Sequence, residues 1–91
     1  MVAGMKHQFK SNQEFYNHID LLGARLRAAG AGAEADRLWE LIHQVAWTTS
    51  TELFGELRNA CREIVTARKN ELPREILDDL RACIRAIDRL R

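Results

Sequence analysis

Apolar residues recur along the chain at intervals of three and four residues, the spacing of an amphipathic helix. The periodic segments are separated by Gly30 to Gly32, by a hydroxyl-rich turn at 48–51 and by Asn70 to Pro73. The pattern predicts an all-α fold, an up-down-up-down four-helix bundle with helices at about 12–29, 33–46, 50–69 and 73–90. Residues 1–10 show no periodicity, so we interpret them as a flexible N-terminal arm before a single bundle domain at 11–91.

Three of the predicted helices carry a single apolar stripe that defines a candidate core. The stripe residues are Phe15, Ile19, Leu22, Leu26 and Ala29 in the first helix, Leu53, Phe54, Leu57, Ala60, Cys61, Ile64 and Val65 in the third, and Ile76, Leu77, Leu80, Cys83, Ile84, Ile87 and Leu90 in the fourth. Each stripe can face a shared interior.

The starts of the helices are marked by capping residues. Ser11 with Glu14, and Thr49 with Glu52, have the spacing of a capping box, in which each residue of the pair satisfies the backbone amide of the other. Pro73 suits the first turn of a helix and disfavours helical geometry in the residue before it. We therefore expect helices to begin at these three places.

The ends of the helices are marked by residues that tolerate a left-handed backbone. Gly30 suits this conformation after the first helix, and Asn70 is the candidate after the third. Gly55, inside the third helix, costs about 1 kcal/mol relative to alanine. Either the close approach of another helix or a tolerated imperfection accounts for it.

The second predicted helix is apolar on more than one side. Leu38 can face one neighbour, while Trp39, Leu41 and Trp47 are left for another. Tryptophan is enriched at the centres of protein interfaces, although both indoles could instead fill the core. We predict an interface formed by at least one tryptophan with Leu41 and Tyr16, because three other helices of a small bundle cannot cover so much apolar surface.

Composition and charge exclude several classes of protein. The chain of 91 residues is 46% hydrophobic and 30% charged, with a formal net charge of +1, so it is neither a disordered chain nor a strongly basic one. Its apolar runs are shorter than the roughly 18 residues of a membrane span, and its N-terminus lacks the apolar centre of a signal peptide. These features predict a cytoplasmic protein.

The two cysteines, Cys61 and Cys83, are too few for a disulfide framework and are interpreted as reduced core residues. They lie about equally far from the turn between the third and fourth helices, which would make them neighbours if these helices are antiparallel. The histidines at positions 7, 18 and 43 form no CxxC, HxxxH or HExxH spacing with each other or with the cysteines. Structural zinc sites are usually built from such local pairs. We therefore expect no metal and no cofactor.

No catalytic constellation is evident in the sequence. A hydroxyl nucleophile in the turn from Thr48 to Thr51 would need an adjacent base and an oxyanion site, and no GxSxG or SxxK context surrounds it. Helix capping explains these residues better. The sequence therefore predicts a protein that is not an enzyme.

Arg81, Arg85 and Arg89 form a stripe along one face of the fourth helix, which could contact phosphates. Asp78, Asp79 and Asp88 lie beside this stripe, so the helix sums to only about +1. A solvated outer face is the favoured interpretation, and nucleic-acid binding is the alternative.

The segments LLGARLRAAGAGAEADRLWELI and TTSTELFGELRNACREI give the chain a family resemblance. Over roughly Leu21 to Ile64 it resembles small uncharacterised bacterial proteins, in which a helix ends in an alanine- and glycine-rich break and a threonine-rich cap starts a later helix. The resemblance implies a small helical fold and no catalytic residues. The two tryptophans and the charged fourth helix depart from that pattern.

The main functional hypothesis is a non-enzymatic protein-protein interaction module. We expect it to form a homodimer and to bind its partner, another protein or a second copy of itself, through the second helix and its flanking surface. A concrete version is an immunity or regulatory protein that occludes a partner. The alternatives are nucleic-acid binding through the arginine stripe, and a small ligand-binding bundle using Glu40, His43 or Tyr16.

Overall fold

The computed structural model describes residues 12–44 and 50–90, and the side chains of residues 12–44 and 51–89. Within these ranges the chain forms four α-helices: α1 (Asn12–Ala28), α2 (Gly32–His43), α3 (Ser50–Arg68) and α4 (Arg74–Leu90). The predicted all-α four-helix bundle is therefore confirmed. Residues 1–10, predicted to be an arm, lie outside the described residues.

The boundaries agree with the predictions to within one residue, except at the end of α2. That helix ends at His43, and Gln44 follows as its C-cap, with its amide bonded to the carbonyl of Glu40 at 2.9 Å. The predicted end at residue 46 was therefore too late. Ser11 and Thr49 lie outside the described residues, as does the capping geometry predicted for them.

The break between α1 and α2 is built around Gly30, whose φ of 86° is the left-handed conformation predicted for it. The amide of Ala31 donates to the carbonyl of Leu26 at 2.8 Å, and the amide of Gly30 donates to that of Arg27 at 3.1 Å. These bonds form a Schellman motif. Ala31 and Leu26 are both buried, which supplies the apolar contact that accompanies the motif.

Ion pairs between helices fix the direction of two neighbouring pairs. Arg27 binds Asp36 near the α1–α2 break, and Asp20 binds His43 at the far end, so α1 and α2 are antiparallel. In the same way Arg68 lies 3.4 Å from Glu34, while Arg37 binds Glu63, so α2 and α3 are antiparallel. The up-down order of the whole bundle stays a prediction.

The core lies between the apolar faces of all four helices. Its fully enclosed larger side chains are Phe15, Ile19, Leu22, Leu26, Leu38, Leu57, Leu80 and Ile87. Phe15 contacts Phe54 edge to face, with ring centroids 5.7 Å apart, which joins α1 to α3. Every residue of the predicted stripes with a described side chain is buried or packs against this core. The stripe predictions are confirmed to that extent.

The turn between α3 and α4 corrects one prediction. In the described residues only Gly30 has a positive φ, so Asn70 is not a left-handed cap. The amides of Glu71 and Leu72 both donate to the carbonyl of Arg68, at 2.9 and 3.0 Å, and close the turn without a left-handed residue. The carbonyl of Pro73 then accepts the first bonds of α4, which begins one residue later than predicted.

Candidate functional site

One face of α2 packs against the core, and another face is exposed. Ala35 and Leu38 are buried, and Leu41 and Ile42 are partly buried against the core. Trp39 differs from these, because 47% of its surface is exposed. Part of the apolar surplus predicted for this helix is therefore left uncovered by the described part of the chain.

The indole of Trp39 is held in place by its neighbours. It lies against the imidazole of His43, one turn further along α2, with ring centroids 4.8 Å apart and an angle of 37° between the planes. The Nε2 atom of His43 lies 2.9 and 3.0 Å from the two carboxylate oxygens of Asp20 on α1. The exposed tryptophan is thus braced through a contact that crosses between two helices.

A groove of about 200 Å³ runs between α1 and α2 beside this tryptophan. Its lining residues are Ile19, Asp20, Gly23, Ala24, Arg27, Ala35 and Trp39. Gly23 and Ala24 leave space because their side chains are absent or small. Leu21, one residue after Asp20, is 60% exposed. We call Trp39 and this groove the α1–α2 surface, and Leu21 is a second exposed apolar side chain on α1.

The other residues predicted for the interface have different positions. Leu41 is partly buried against the core, and Tyr16 contacts Phe15 and Phe54, with ring centroids 6.3 and 6.1 Å apart. Trp47 lies outside the described residues. Of the three candidates whose side chains are described, Trp39 is therefore the one that is exposed.

A buried polar cluster, which the sequence pattern did not predict, joins α1 to α4. Asp79, which was assigned to the solvated face beside the arginine stripe, is only 7% exposed. Its Oδ1 atom lies 2.8 Å from Nε2 of His18, and its Oδ2 atom accepts a hydrogen bond from Arg25 at 3.1 Å. Assigning Asp79 to the outer face was wrong.

A signal for this burial exists in the sequence. Asp79 lies three residues after Ile76 and four before Cys83, so it shares the helical phase of the buried stripe. Ala82 and Ala86, at related positions, are also buried. The partners of Asp79 could not be identified in this way, because His18 and Arg25 are 61 and 54 residues away in sequence.

The two thiols lie in the core next to this cluster. Cys61 and Cys83 are both buried and free, as the interpretation of reduced core residues predicted. Burial raises the pKa of Cys61 to about 12, and the charge of Asp79 adds to the shift. Burial likewise raises the pKa of Cys83, with a contribution from the nearby Cys61. Such thiols are weak nucleophiles at neutral pH.

The arginine stripe lies on the exterior of α4. Arg81, Arg85 and Arg89 are all exposed, and Nη1 of Arg81 is 3.6 Å from a carboxylate oxygen of Asp78. Asp88 binds Arg58 of α3 at 2.5 Å. Acidic side chains thus accompany the stripe, and the solvated face remains the favoured interpretation.

Comparison of the chain with protein-family models, with curated protein sequences and with solved structures gave no match. The family resemblance therefore stays an expectation. No helix among the described residues has both the length and the apolar character needed to cross a bilayer.

Proposed function

We propose that this protein is a non-enzymatic interaction module that binds a second copy of itself through the α1–α2 surface. The observation that carries the proposal is the exposure of Trp39 beside an open groove and the exposed Leu21. Large aromatic side chains supply much of the free energy of association when a partner covers them. A small domain gains from burying such residues against another chain.

The bracing of Trp39 supports this role. The contact with His43, which Asp20 holds from α1, fixes the indole before any partner arrives. A side chain that is already ordered loses less conformational entropy on binding. The surface is therefore suited to act as a rigid anchor.

The charges around the surface favour a second copy as the occupant. Arg27 pairs with Asp36 and His43 with Asp20, so the rim carries both basic and acidic groups. A twofold dimer places the same patch on both sides, which requires a surface that complements itself. Mixed charge satisfies that requirement, whereas a surface of one sign would repel its copy.

A concrete version of the function is an immunity or regulatory protein that occludes a partner. In this version the α1–α2 surface mediates dimerisation, and the dimer presents the occluding face.

Light scattering after size exclusion tests the proposal. We expect the wild-type protein to have about twice the 10.5 kDa mass of one chain. Trp39→Ala and Leu21→Ala should each shift the mass toward a single chain, because they remove the exposed anchors. Leu21 is a cleaner position than Leu41, which also packs against the core.

Arg85→Ala is the matched control, since it truncates another long exposed side chain on a different helix. It should leave the mass unchanged. A wild-type protein that remains a single chain at high concentration would contradict the proposal. So would a dimer that neither Trp39→Ala nor Leu21→Ala weakens.

A further inference from the structure

Three groups that commonly bind metals converge where α1 packs against α4. Nε2 of His18, a carboxylate oxygen of Asp79 and Sγ of Cys83 all lie within 4.8 Å of one another. Asp79 and Cys83 are four residues apart on α4 and therefore share a face. His18 comes from α1, so the cluster exists only in the folded chain.

The donor set is chemically specific. One imidazole nitrogen, one carboxylate oxygen and one sulfur are all ligands that Zn²⁺ accepts. A thiolate among the ligands favours thiophilic ions over Mg²⁺ or Ca²⁺, which prefer oxygen. The set therefore matches zinc and its close chemical relatives.

Two of the three distances between the ligand atoms are close to those of a tetrahedral site. With usual zinc bond lengths, ligand atoms in such a site are roughly 3.3 to 3.6 Å apart. Here Nε2 of His18 is 2.8 Å from Oδ1 of Asp79, and Sγ of Cys83 is 3.9 Å from the same oxygen. Each of these two distances needs to change by only about half an ångström to accept the ion. The third distance, between the ligand atoms of His18 and Cys83, lies within 4.8 Å and needs to shorten by up to roughly 1.2 Å.

Arg25 binds the carboxylate oxygen of Asp79 that is not a proposed metal ligand. It donates to Oδ2, while Oδ1 faces His18 and Cys83. Carboxylates that bind metals are commonly oriented by a hydrogen bond to their other oxygen. Arg25 would thus fix the orientation of the carboxylate without blocking the ligand atom.

We propose that His18, Asp79 and Cys83 form a binding site for a thiophilic divalent cation of the zinc class, at the contact between α1 and α4. The metal forms bonds to Nε2 of His18, Oδ1 of Asp79 and Sγ of Cys83. The thiol proton of Cys83 passes to solvent, and the proton that Nε2 shares with Oδ1 is transferred to Nδ1 of the same imidazole, which frees Nε2 to bind the ion. No electron transfer is involved. Because one proton is released, the affinity rises with pH.

The proposal differs from the expectation of no metal drawn from the sequence. That expectation depended on local spacings such as CxxC and HExxH. In the folded chain, two ligands come from α4 and the third lies 61 residues earlier in sequence. Such a combination has no local signature.

Titration of the reduced full-length protein with Co²⁺ tests the site, since cobalt reports its ligands by absorption. We expect one equivalent to produce visible bands of a four-coordinate site and a near-ultraviolet band of sulfur-to-cobalt charge transfer. Excess Zn²⁺ should abolish both. Bound metal should also raise the thermal midpoint of unfolding, because the ion binds only the folded arrangement.

Cys83→Ala and Cys61→Ala form a matched pair, because both thiols are fully buried and lose the same atom. Cys83→Ala should lose the charge-transfer band, and Cys61→Ala should keep it. His18→Gln, at a partly exposed side chain, should keep the fold and weaken Co²⁺ binding at least about tenfold.

Three results would overturn the proposal. The first is a wild-type protein that shows no sulfur-to-cobalt band with excess metal. The second is a band that persists in Cys83→Ala, and the third is a band lost equally in folded Cys61→Ala, which would assign binding to the thiol pair instead. None of these results depends on the oligomeric state, so the test is independent of dimerisation.

Discussion

At the scale of single residues, the buried carboxylate of Asp79 is the most costly polar group in the described core. A buried charge is tolerated when it is paired and hydrogen-bonded. Asp79 meets this condition through His18 and Arg25, which lie about two turns apart on α1. The partners are themselves partly exposed, which limits what the pair adds to stability.

Asp79→Asn should lower the free energy of unfolding by about 1 to 3 kcal/mol, because Arg25 and His18 lose a charged acceptor. Chemical denaturation monitored by circular dichroism measures the change. Asp78→Asn, at the exposed neighbouring position, is the control and should stay within about 0.5 kcal/mol of wild type. Equal effects of the two substitutions would show that Asp79 is not structurally paired.

Gly55 lowers the stability of α3, although the structure there does not require a glycine. It lies inside α3, and a β-carbon added there meets no atom of the described residues within 4 Å. Close approach of another helix therefore does not explain this glycine. Gly55→Ala should raise the free energy of unfolding by about 0.5 to 1 kcal/mol, because the unfolded chain loses conformational freedom.

Gly30→Ala is the matched control for that experiment. Within the described part of the chain, a β-carbon at Gly30 also meets no atom within 4 Å, but the backbone there is left-handed. The same substitution should therefore lower the free energy of unfolding by about 1 to 2 kcal/mol. Thermal or urea denaturation of both variants gives the two signs, and a destabilised Gly55→Ala protein would contradict the account of α3.

At the scale of elements, α2 is the helix that has both an internal and an external role. Leu38 anchors it in the core, and the next residue, Trp39, faces outward. Adjacent positions on a helix are about 100° apart, so one stripe cannot contain both. The apolar excess of this helix is thus divided between folding and the proposed interface.

Because Leu38 is buried and Trp39 is exposed, we expect truncation of these neighbouring residues to lower the free energy of unfolding by different amounts. Leu38→Ala should lower the free energy of unfolding by about 2 to 5 kcal/mol, because it opens a cavity in the core. Trp39→Ala should cost about 1 kcal/mol or less, since much of the indole already contacts solvent. Denaturation under conditions where both variants are single chains makes the comparison, and a larger loss for Trp39→Ala would place that indole in the core.

At the scale of the whole molecule, periodicity was enough to predict the helices and their buried faces. The stripes of α1, α3 and α4 follow from spacing alone, and the turn at Gly30 follows from the conformational freedom of glycine. The prediction of a left-handed cap at Asn70 was wrong, because the amide of Leu72 closes that turn with ordinary backbone geometry. Local patterns therefore determine most of the fold.

The candidate sites could be predicted only in part. The surplus of apolar residues on α2 indicated an exposed apolar face. Only the packing of α1 against α2 shows that Trp39 is exposed and that Leu41 packs against the core. The pairing of His43 with Asp20, and of His18 with Asp79, joins residues that are far apart in sequence. Such contacts depend on how helices meet, which a single sequence does not display.

The central claim is that a second chain covers the indole of Trp39. The most direct measurement is the fluorescence of a Trp47→Phe variant, in which Trp39 is the only emitter, over a range of protein concentrations. We expect emission to be red-shifted and readily quenched by acrylamide when dilute, and to become blue-shifted and protected as the mass doubles. Emission that stays solvent-exposed while the chain dimerises, or a mass that never doubles, would contradict the claim.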